Sequence, residues 1–272
     1  MKMSVCIDIL FFRQDFLPAL QVVRDAGFQA YEMWSLGDHP HDIGARNKDL
    51  TAIAAEADRL GLACAACVGP FGDLTDAAGH EAFLKAFRED VAKAKILRCP
   101  TIIVNLGGAG EPTNPEGTTE NAVRVLREAG KIAGDAGVVL ALEPLNNRVD
   151  HKNSILAHAQ DAFAIIDAVG SPHVRLLYDL YHQQIMDGNV TETVLANLDK
   201  IVHLHAAGVP GRHELSPGEF DYRYVLQRVA DAGYKGYVGL EYGPTKPAAE
   251  SLAQMRALTA DIEAMHAAPG QG

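Results

Sequence analysis

Length, composition and charge narrow the class of protein. The chain has 272 residues, 48% of them hydrophobic and 22% charged, which is the balance of an ordinary globular enzyme. A single α/β barrel typically has roughly 250 residues. The formal net charge is −11 and no basic run occurs, which argues against a nucleic-acid partner, because such partners reward clustered Lys and Arg.

The N-terminal segment and the cysteines indicate the compartment. The apolar run at the start is too short to span a bilayer, and Arg13 to Asp15 follow at once, so we expect a strand rather than a signal peptide and no membrane contact. Cys64 and Cys67 form a C-x-x-C pair, which redox sites use, but alanines surround them in ACAACVG. This context favours small buried strand residues. We therefore expect a reduced, cytoplasmic protein.

Eight short apolar runs alternate with longer amphipathic segments. The runs are SVCIDIL, QAYEMW, ACAACVG, TIIVNLG, VVLALEP, VRLLYDL, IVHLHAAG and GYVGLEY. Several are apolar almost throughout, as in parallel strands that are covered on both faces. The segments between them carry helix signals. Helix starts are predicted at Asp15, at Asn47 or Asp49, and at Thr118 or Thr119, and helix ends at Gly27, Gly61 and Gly233.

The alternation predicts the fold. Strands and helices that alternate in this way form βαβ units with right-handed crossovers, and eight such units close a barrel. We therefore predict a single (β/α)8 TIM barrel over residues 1–272, with a frayed tail from about residue 267. An open doubly wound sheet is the alternative. It usually carries a Gly-rich phosphate turn, and IVNLGGAG matches G-x-G-x-x-G poorly.

The ends of the last four predicted strands carry ionisable side chains. Glu143, Asp179, His205 and Glu241 occupy these ends, where α/β barrels have their active sites. Charged groups are rarely buried unless they are paired or bind a metal. Three carboxylates and one imidazole favour one Mn²⁺, Mg²⁺ or Co²⁺ ion over a thiolate-rich zinc site. A structural ion network at the barrel top is the alternative.

His203 shares a strand face with His205, because side chains repeat every second residue. His205 lies nearer the end of the strand and is therefore the better ligand. His203 either supports a ligand from below or is a hydrogen-bonded core histidine; both alternatives stay open.

Further side chains near the same end are candidates for substrate contact. An Arg beside a metal suits a substrate carboxylate, because its planar fork binds such groups bidentately. The alternatives are a capping histidine, a solvated loop arginine and, for the tryptophan, ordinary packing. The candidates are His182, Arg212, Asn146, Trp34, Glu32 and Phe71.

Four segments carry a family resemblance. ALEPLN, LLYDLYHQQIMDGN, HLHAAGVPGRHE and YVGLEY together resemble the xylose isomerase-like barrel superfamily, and within it the hydroxypyruvate isomerases, with ketose 3-epimerases as near relatives. The resemblance implies that Glu143, Asp179, His205 and Glu241 bind one divalent metal. It also implies that the two glutamates act as a base and acid pair, and that His182 and Arg212 contact substrate oxygens. One departure is that hydroxypyruvate isomerases often carry Gln where this chain has His205, which is the epimerase pattern.

The function expected from these residues is a metal-dependent isomerase of a small hydroxy-carbonyl acid of the hydroxypyruvate type, acting through an enediolate. A ketose 3-epimerase is the nearest alternative, and a lyase or dehydratase would use the same barrel. From other classes, the alternatives are a DNA-repair endonuclease, which the charge opposes, a non-catalytic sugar-binding barrel and an inactive partner subunit. The expected partner is a small molecule. A homo-oligomer remains an open alternative.

Overall fold

Eight parallel strands form a closed barrel in this computed structural model, which describes residues 1–37, 44–107 and 118–267. Each strand pairs with the next along the chain, and the eighth pairs with the first. The strands are β1 (Lys2–Cys6), β2 (Ala30–Met33), β3 (Ala63–Val68), β4 (Thr101–Val104), β5 (Val139–Leu142), β6 (Val174–Asp179), β7 (Ile201–Ala206) and β8 (Tyr237–Leu240). The predicted (β/α)8 barrel is confirmed. The tail predicted to fray lies, beyond Ala267, outside the described residues.

Helices alternate with the strands. They are α1 (Ile7–Leu10), α2 (Phe16–Asp25), α3 (Leu50–Leu60), α4 (His80–Ile96), α5 (Thr119–Ala136), α6 (Ala159–Val169), α7 (Leu180–Met186), α8 (Val190–Ala196), α9 (Tyr222–Asp231) and α10 (Ala248–Ala267), with 3₁₀ turns at Ala77–Gly79 and Leu198–Lys200. Asp49 caps α3 by accepting hydrogen bonds from two backbone amides of its first turn, and Gly61 ends this helix with a left-handed φ of 66°. Thr118 caps α5 by accepting one hydrogen bond, from the backbone N–H of Asn121. Within the described ranges, no helix is long and apolar enough to cross a bilayer.

The strands bury apolar side chains on both faces, as their near-continuous apolar runs predict. One face joins the helices in the large core. The other faces the barrel axis, where a separate small cluster contains Ala66, Ile103, Ala141 and Leu177. Side chains alternate along a strand, so the residues two positions after Ile103, Ala141 and Leu177 also face inward, at the carboxyl end of the barrel. They are Asn105, Glu143 and Asp179.

The first predicted strand is too long. The run SVCIDIL predicts a strand through Leu10, but β1 ends at Cys6 and α1 forms one helical turn. Inside this turn the buried carboxylate of Asp8 accepts hydrogen bonds from the backbone N–H groups of Trp34 and Ala45. The error arises because an apolar run alone does not distinguish a buried strand from a buried helical turn.

All four cysteines are buried, as predicted for Cys64 and Cys67, and their thiols are free. Cys64 and Cys67 lie in β3, where their thiols contact the backbone carbonyls of Ala66 at 3.9 Å and Thr101 at 3.7 Å. Reactive thiols are partly exposed in proteins. The position of this C-x-x-C pair therefore supports a packing role.

Candidate active site at the carboxyl end of the barrel

The carboxyl ends of β5 to β8 bring four ionisable side chains together. Glu143 and Glu241 directly follow β5 and β8, whereas Asp179 ends β6 and His205 lies near the end of β7. The sheet register sets Asp179 beside His205. One ligand atom from each of the four side chains lies within 4.8 Å of the others, and all four residues are buried. The structure thus gathers the predicted ligand set around one position.

Two atoms of this cluster have no hydrogen-bond partner. His205 Nδ1 lies 3.3 Å from Glu143 Oε1 and 3.3 Å from Glu241 Oε2. Both Nδ1 of His205 and Oε1 of Glu143 are buried and make no hydrogen bond. Buried polar atoms in native proteins are nearly always paired. Three carboxylates and an imidazole that converge with unpaired atoms fit a divalent cation, so these four residues would hold such an ion.

Asp179 divides its two oxygens between a helix cap and the site. Oδ1 accepts hydrogen bonds from the backbone N–H groups of Tyr181 at 2.7 Å and His182 at 3.1 Å, which caps the first turn of α7. Burial raises the pKa of Asp179, although the charges of His205 and Arg212 oppose this shift. Because the cap fixes the side chain, its second oxygen has a defined position beside the other ligand candidates.

Glu241 is held at both oxygens. Oε1 accepts a hydrogen bond from the indole N–H of Trp34 at 2.6 Å, and Oε2 accepts one from Arg212 Nη2 at 2.6 Å. Burial by itself would raise the pKa of Glu241, but the charges of Arg212 and His205 outweigh burial and hold it well below its usual range. Arg212 keeps its Nε–H buried without a hydrogen-bond partner. Trp34 and Arg212, which were predicted to contact substrate, thus also orient the carboxylate of Glu241.

His182 is buried as a neutral hydrogen-bond donor. Burial, joined by the charge of Arg212, lowers the pKa of His182 to about 3. Its Nδ1 lies 2.6 Å from the amide nitrogen of Asn146, which must donate, so the imidazole proton is on Nε2. Nε2 is buried without a hydrogen-bond partner, 3.4 Å from Asp179 Oδ2. This N–H is therefore available to a substrate oxygen.

Asn146 differs from the expectation that it contacts substrate. The residue is fully buried, and its carbonyl oxygen accepts hydrogen bonds from the backbone N–H groups of Val149 and Asp150. Its amide donates to Asp150 as well as to His182. Asn146 therefore orients His182, and its polar atoms are occupied by the protein.

Glu32 also differs from the expectation that it contacts substrate. It is 2% exposed and lies below the ligand candidates, where Oε1 accepts from His203 Nε2 at 2.9 Å and Oε2 from His205 Nε2 at 2.8 Å. Ser4 Oγ donates to the same carboxylate. The two imidazoles outweigh the effect of burial and lower the pKa of Glu32. A carboxylate with three donors does not face substrate.

Two residues complete the comparison with the sequence. Phe71 is 70% exposed, and its contact with substrate stays a prediction. Asn105 is a residue that the sequence reasoning missed: its amide lies 3.3 Å from Oε2 of Glu143. The signal was present in TIIVNLG, since Asn105 follows β4 in the way that Glu143 follows β5. A pattern of ionisable strand ends does not include Asn105, because an amide carries no charge.

Known proteins resemble the chain over most of its length. The family of xylose isomerase-like TIM barrels matches residues 20–258. A human protein provisionally named hydroxypyruvate isomerase is 33% identical over 276 residues, covering 94% of this chain and 94% of that protein. The hydroxypyruvate isomerase of Escherichia coli (strain K12) is 29% identical over 258 residues, covering 90% of this chain and 94% of that protein.

A solved structure agrees with this result. The crystal structure of a Brucella melitensis protein, described as AP endonuclease, family 2, superposes with a TM-score of 0.83 at 26% identity, covering 94% of this chain and 99% of that one. The match to the family spans more than half of the chain, and the closed barrel has the expected strand order. The chain therefore belongs to the xylose isomerase-like TIM barrel family, as a relative of the hydroxypyruvate isomerases.

Proposed function

We propose that the chain is a divalent-metal-dependent isomerase that interconverts a hydroxy-ketone acid and its hydroxy-aldehyde isomer, with hydroxypyruvate as the type of substrate. The observation that carries this proposal is the set of four buried ligand atoms within 4.8 Å of one another. Two of them, on Glu143 and His205, are unpaired. The names of the human and bacterial relatives support the same class of reaction.

The reaction requires a proton to leave a carbon atom beside a carbonyl. One Mn²⁺, Mg²⁺ or Co²⁺ ion bound at the site would act as a Lewis acid toward the substrate oxygens and stabilise the enediolate. Glu143 is the better placed base, because its Oε1 is buried and unpaired. Glu241 is the second member of the pair: the donors on both of its oxygens keep it ionised, so it starts as a proton acceptor, and Glu143, once it has taken the substrate proton, is the acid that returns a proton to the neighbouring carbon. Each such acid or base contributes roughly 10²–10⁴-fold in rate.

The substrate is oriented by two donors. The neutral His182 offers its Nε2–H to a substrate oxygen without adding charge. Arg212 offers a buried, unpaired Nε–H, and its guanidinium suits a carboxylate. The chain carries a formal net charge of −11, so its long-range electrostatic field would repel an acid. Recognition of an acidic substrate therefore depends on this local cation.

A ketose 3-epimerase is the second candidate. It would use the same glutamates, with one removing the proton from C3 and the other returning a proton to the opposite face. The histidine at position 205 favours this alternative, since hydroxypyruvate isomerases often carry Gln there. Arg212 favours the isomerase, because a free ketose has no carboxylate to bind.

The deciding experiment follows hydrogen exchange in D₂O by ¹H NMR. Metal-stripped protein is loaded with Mn²⁺, diluted to a catalytic amount and incubated with hydroxypyruvate or with a panel of free ketoses. Metal-dependent deuterium uptake at C3 of hydroxypyruvate, with the aldehyde isomer appearing, is the expected result. Exchange confined to C3 of a ketose, with its epimer accumulating, would move the assignment to the epimerase. Metal binding with no exchange of any substrate would favour a lyase or a binding protein.

Two variants test the assignment of the proton-transfer pair. Glu143→Gln and Glu241→Gln keep the shape of each side chain but remove its ability to accept a proton. We expect each variant to lose at least about 10²-fold in kcat. If both variants keep near-wild-type turnover, the assignment is wrong.

A further inference from the structure

A fully enclosed carboxylate lies one layer below the ligand candidates. Glu32 is 2% exposed and accepts hydrogen bonds from Ser4, His203 and His205. Burial of an ionised carboxylate is costly unless several donors satisfy it. These donors come from β1, which pairs with β2, and from β7, which is separated from β1 by β8. The arrangement is therefore a built network rather than a chance contact.

The network decides which nitrogen of His205 faces the ligand candidates. Nε2 lies 2.8 Å from Glu32 Oε2 and donates its proton to that carboxylate. Nδ1 consequently points to Glu143 Oε1 and Glu241 Oε2, at 3.3 Å from each. A metal-binding histidine commonly donates its other N–H to a carboxylate, which fixes the ring and its tautomer and raises its basicity.

We propose that Glu32 is a positioning residue that sets the metal affinity of the site by holding His205 with its proton on Nε2 and its Nδ1 toward the ion. His203 is the second anchor of Glu32, because its Nε2 donates to the other carboxylate oxygen at 2.9 Å. The proposal rests on the proposed metal site. It assigns to Glu32 and His203 a function that involves no contact with substrate.

The same three side chains also lie close enough together to be considered as ligands of a second ion. The N–O distances of 2.8 and 2.9 Å are those of ordinary hydrogen bonds between each imidazole and the carboxylate. Since both oxygens of Glu32 are used in this way, we expect one ion per chain. The stoichiometry of binding tests this point directly.

The experiment measures Mn²⁺ affinity and stoichiometry by the EPR signal of the free ion. The full-length protein is compared with Glu32→Gln, which keeps the volume of the side chain but replaces one acceptor oxygen by a donor. His203→Gln is the second variant, and it still offers a donor to Glu32. The matched control is Glu214→Gln, because Glu214 is also buried and hydrogen-bonded, but its partners are Thr245 and Ser251.

We expect one Mn²⁺ per wild-type chain and an affinity about 10- to 100-fold weaker in Glu32→Gln. His203→Gln should lose less, and Glu214→Gln should bind as the wild type does even if its unfolding temperature falls. Equal affinity in wild type and Glu32→Gln would overturn the inference and leave the metal site intact. Two ions per chain would overturn it too, whereas no binding by the wild type would overturn the proposed function with it.

A spectroscopic readout separates positioning from general damage. In the Mg²⁺-loaded wild type, ¹⁵N-edited NMR should show the His205 proton on Nε2, protected from exchange with solvent. The Glu214→Gln control should keep this signal. Glu32→Gln should lose the protection even if the variant remains folded by circular dichroism. A protected Nε2 proton on His205 in Glu32→Gln would contradict the proposed role.

Discussion

The ion pair between Asp8 and Lys48 is expected to be essential for the shape of the site. Both side chains are fully buried, and Lys48 Nζ lies 2.6 Å from Asp8 Oδ1. The same carboxylate accepts the backbone N–H of Ala45 at 2.8 Å and that of Trp34 at 2.7 Å. Because the indole of Trp34 holds Glu241, the pair is linked to a ligand candidate through a single residue.

The substitution Asp8→Asn keeps the shape of the side chain and removes its charge. Its amide nitrogen must face either Lys48 and Ala45 or Trp34, all of which are donors, so hydrogen bonding is lost in either orientation. The Lys48 ammonium also loses the counter-charge of Asp8. Breaking a buried ion pair from one side costs about 3–5 kcal/mol, and we expect the free energy of unfolding to fall by this amount.

Urea unfolding followed by circular dichroism measures the loss, with Lys48→Met and the double variant completing a cycle. The double variant should lose less than the sum of the two single variants, because the pair is coupled. Activity should fall in Asp8→Asn even where it is fully folded when the amide nitrogen faces Trp34, because the backbone N–H of Trp34 then loses its acceptor. A loss of less than about 1 kcal/mol in Asp8→Asn would refute the reasoning.

Three further substitutions address the site itself. Trp34→Phe removes the indole N–H that lies 2.6 Å from Glu241 Oε1, and kcat/KM should fall about 10- to 100-fold in steady-state assays. Gly239→Ala would place a Cβ 2.7 Å from His205 Cδ2, so Mn²⁺ affinity and thermal stability should both fall; Gly79→Ala, whose Cβ would meet no atom closer than 3.7 Å, is the control. Burial lowers the pKa of His205, but the charges of the surrounding glutamates outweigh it and raise this pKa well above its usual range. Metal binding at neutral pH should therefore release a proton, seen by calorimetry in two buffers, and His205→Gln should release none.

The ligand candidates were predictable because one rule of position covers all of them. In a parallel barrel all strands end at the same end of the barrel, so four ionisable residues at four consecutive strand ends must lie close together. His203 and His205 share one face of β7, and the position of His205 nearer the carboxyl end of the strand selected it as the ligand. This rule needs only the position of a residue within its own strand, and that position can be read from a single sequence.

The partners of these residues were not predictable in this way. Glu32 meets His203 and His205 across 171 and 173 residues of sequence, and Trp34 meets Glu241 across 207. Such contacts depend on how strands from opposite parts of the chain face each other across the barrel. Asn146 illustrates a second limit. It lies beside the site, but its side-chain amide and carbonyl groups form hydrogen bonds with other residues of the protein. Position in a strand or loop does not reveal which neighbour a side chain uses.

The charge balance of the site predicts that metal binding and stability are linked. Glu32, Glu143, Asp179 and Glu241 are all buried, and burial has already raised the pKa of Asp179. The cluster of acids brings mutual repulsion that a divalent cation would relieve. An ion that binds only the folded state stabilises it by about 2.7 kcal/mol at 100 times its Kd.

Thermal unfolding with and without Mn²⁺ therefore tests the site without any substrate. The wild-type unfolding temperature should rise with Mn²⁺, and the Glu214→Gln control should show the same rise. Glu143→Gln removes one acid from the cluster, so the metal-free variant should unfold no earlier than the metal-free wild type, while its rise with Mn²⁺ should be smaller. If Glu143→Gln instead unfolds earlier without metal and keeps the full rise with Mn²⁺, Glu143 supports the fold and is not a ligand.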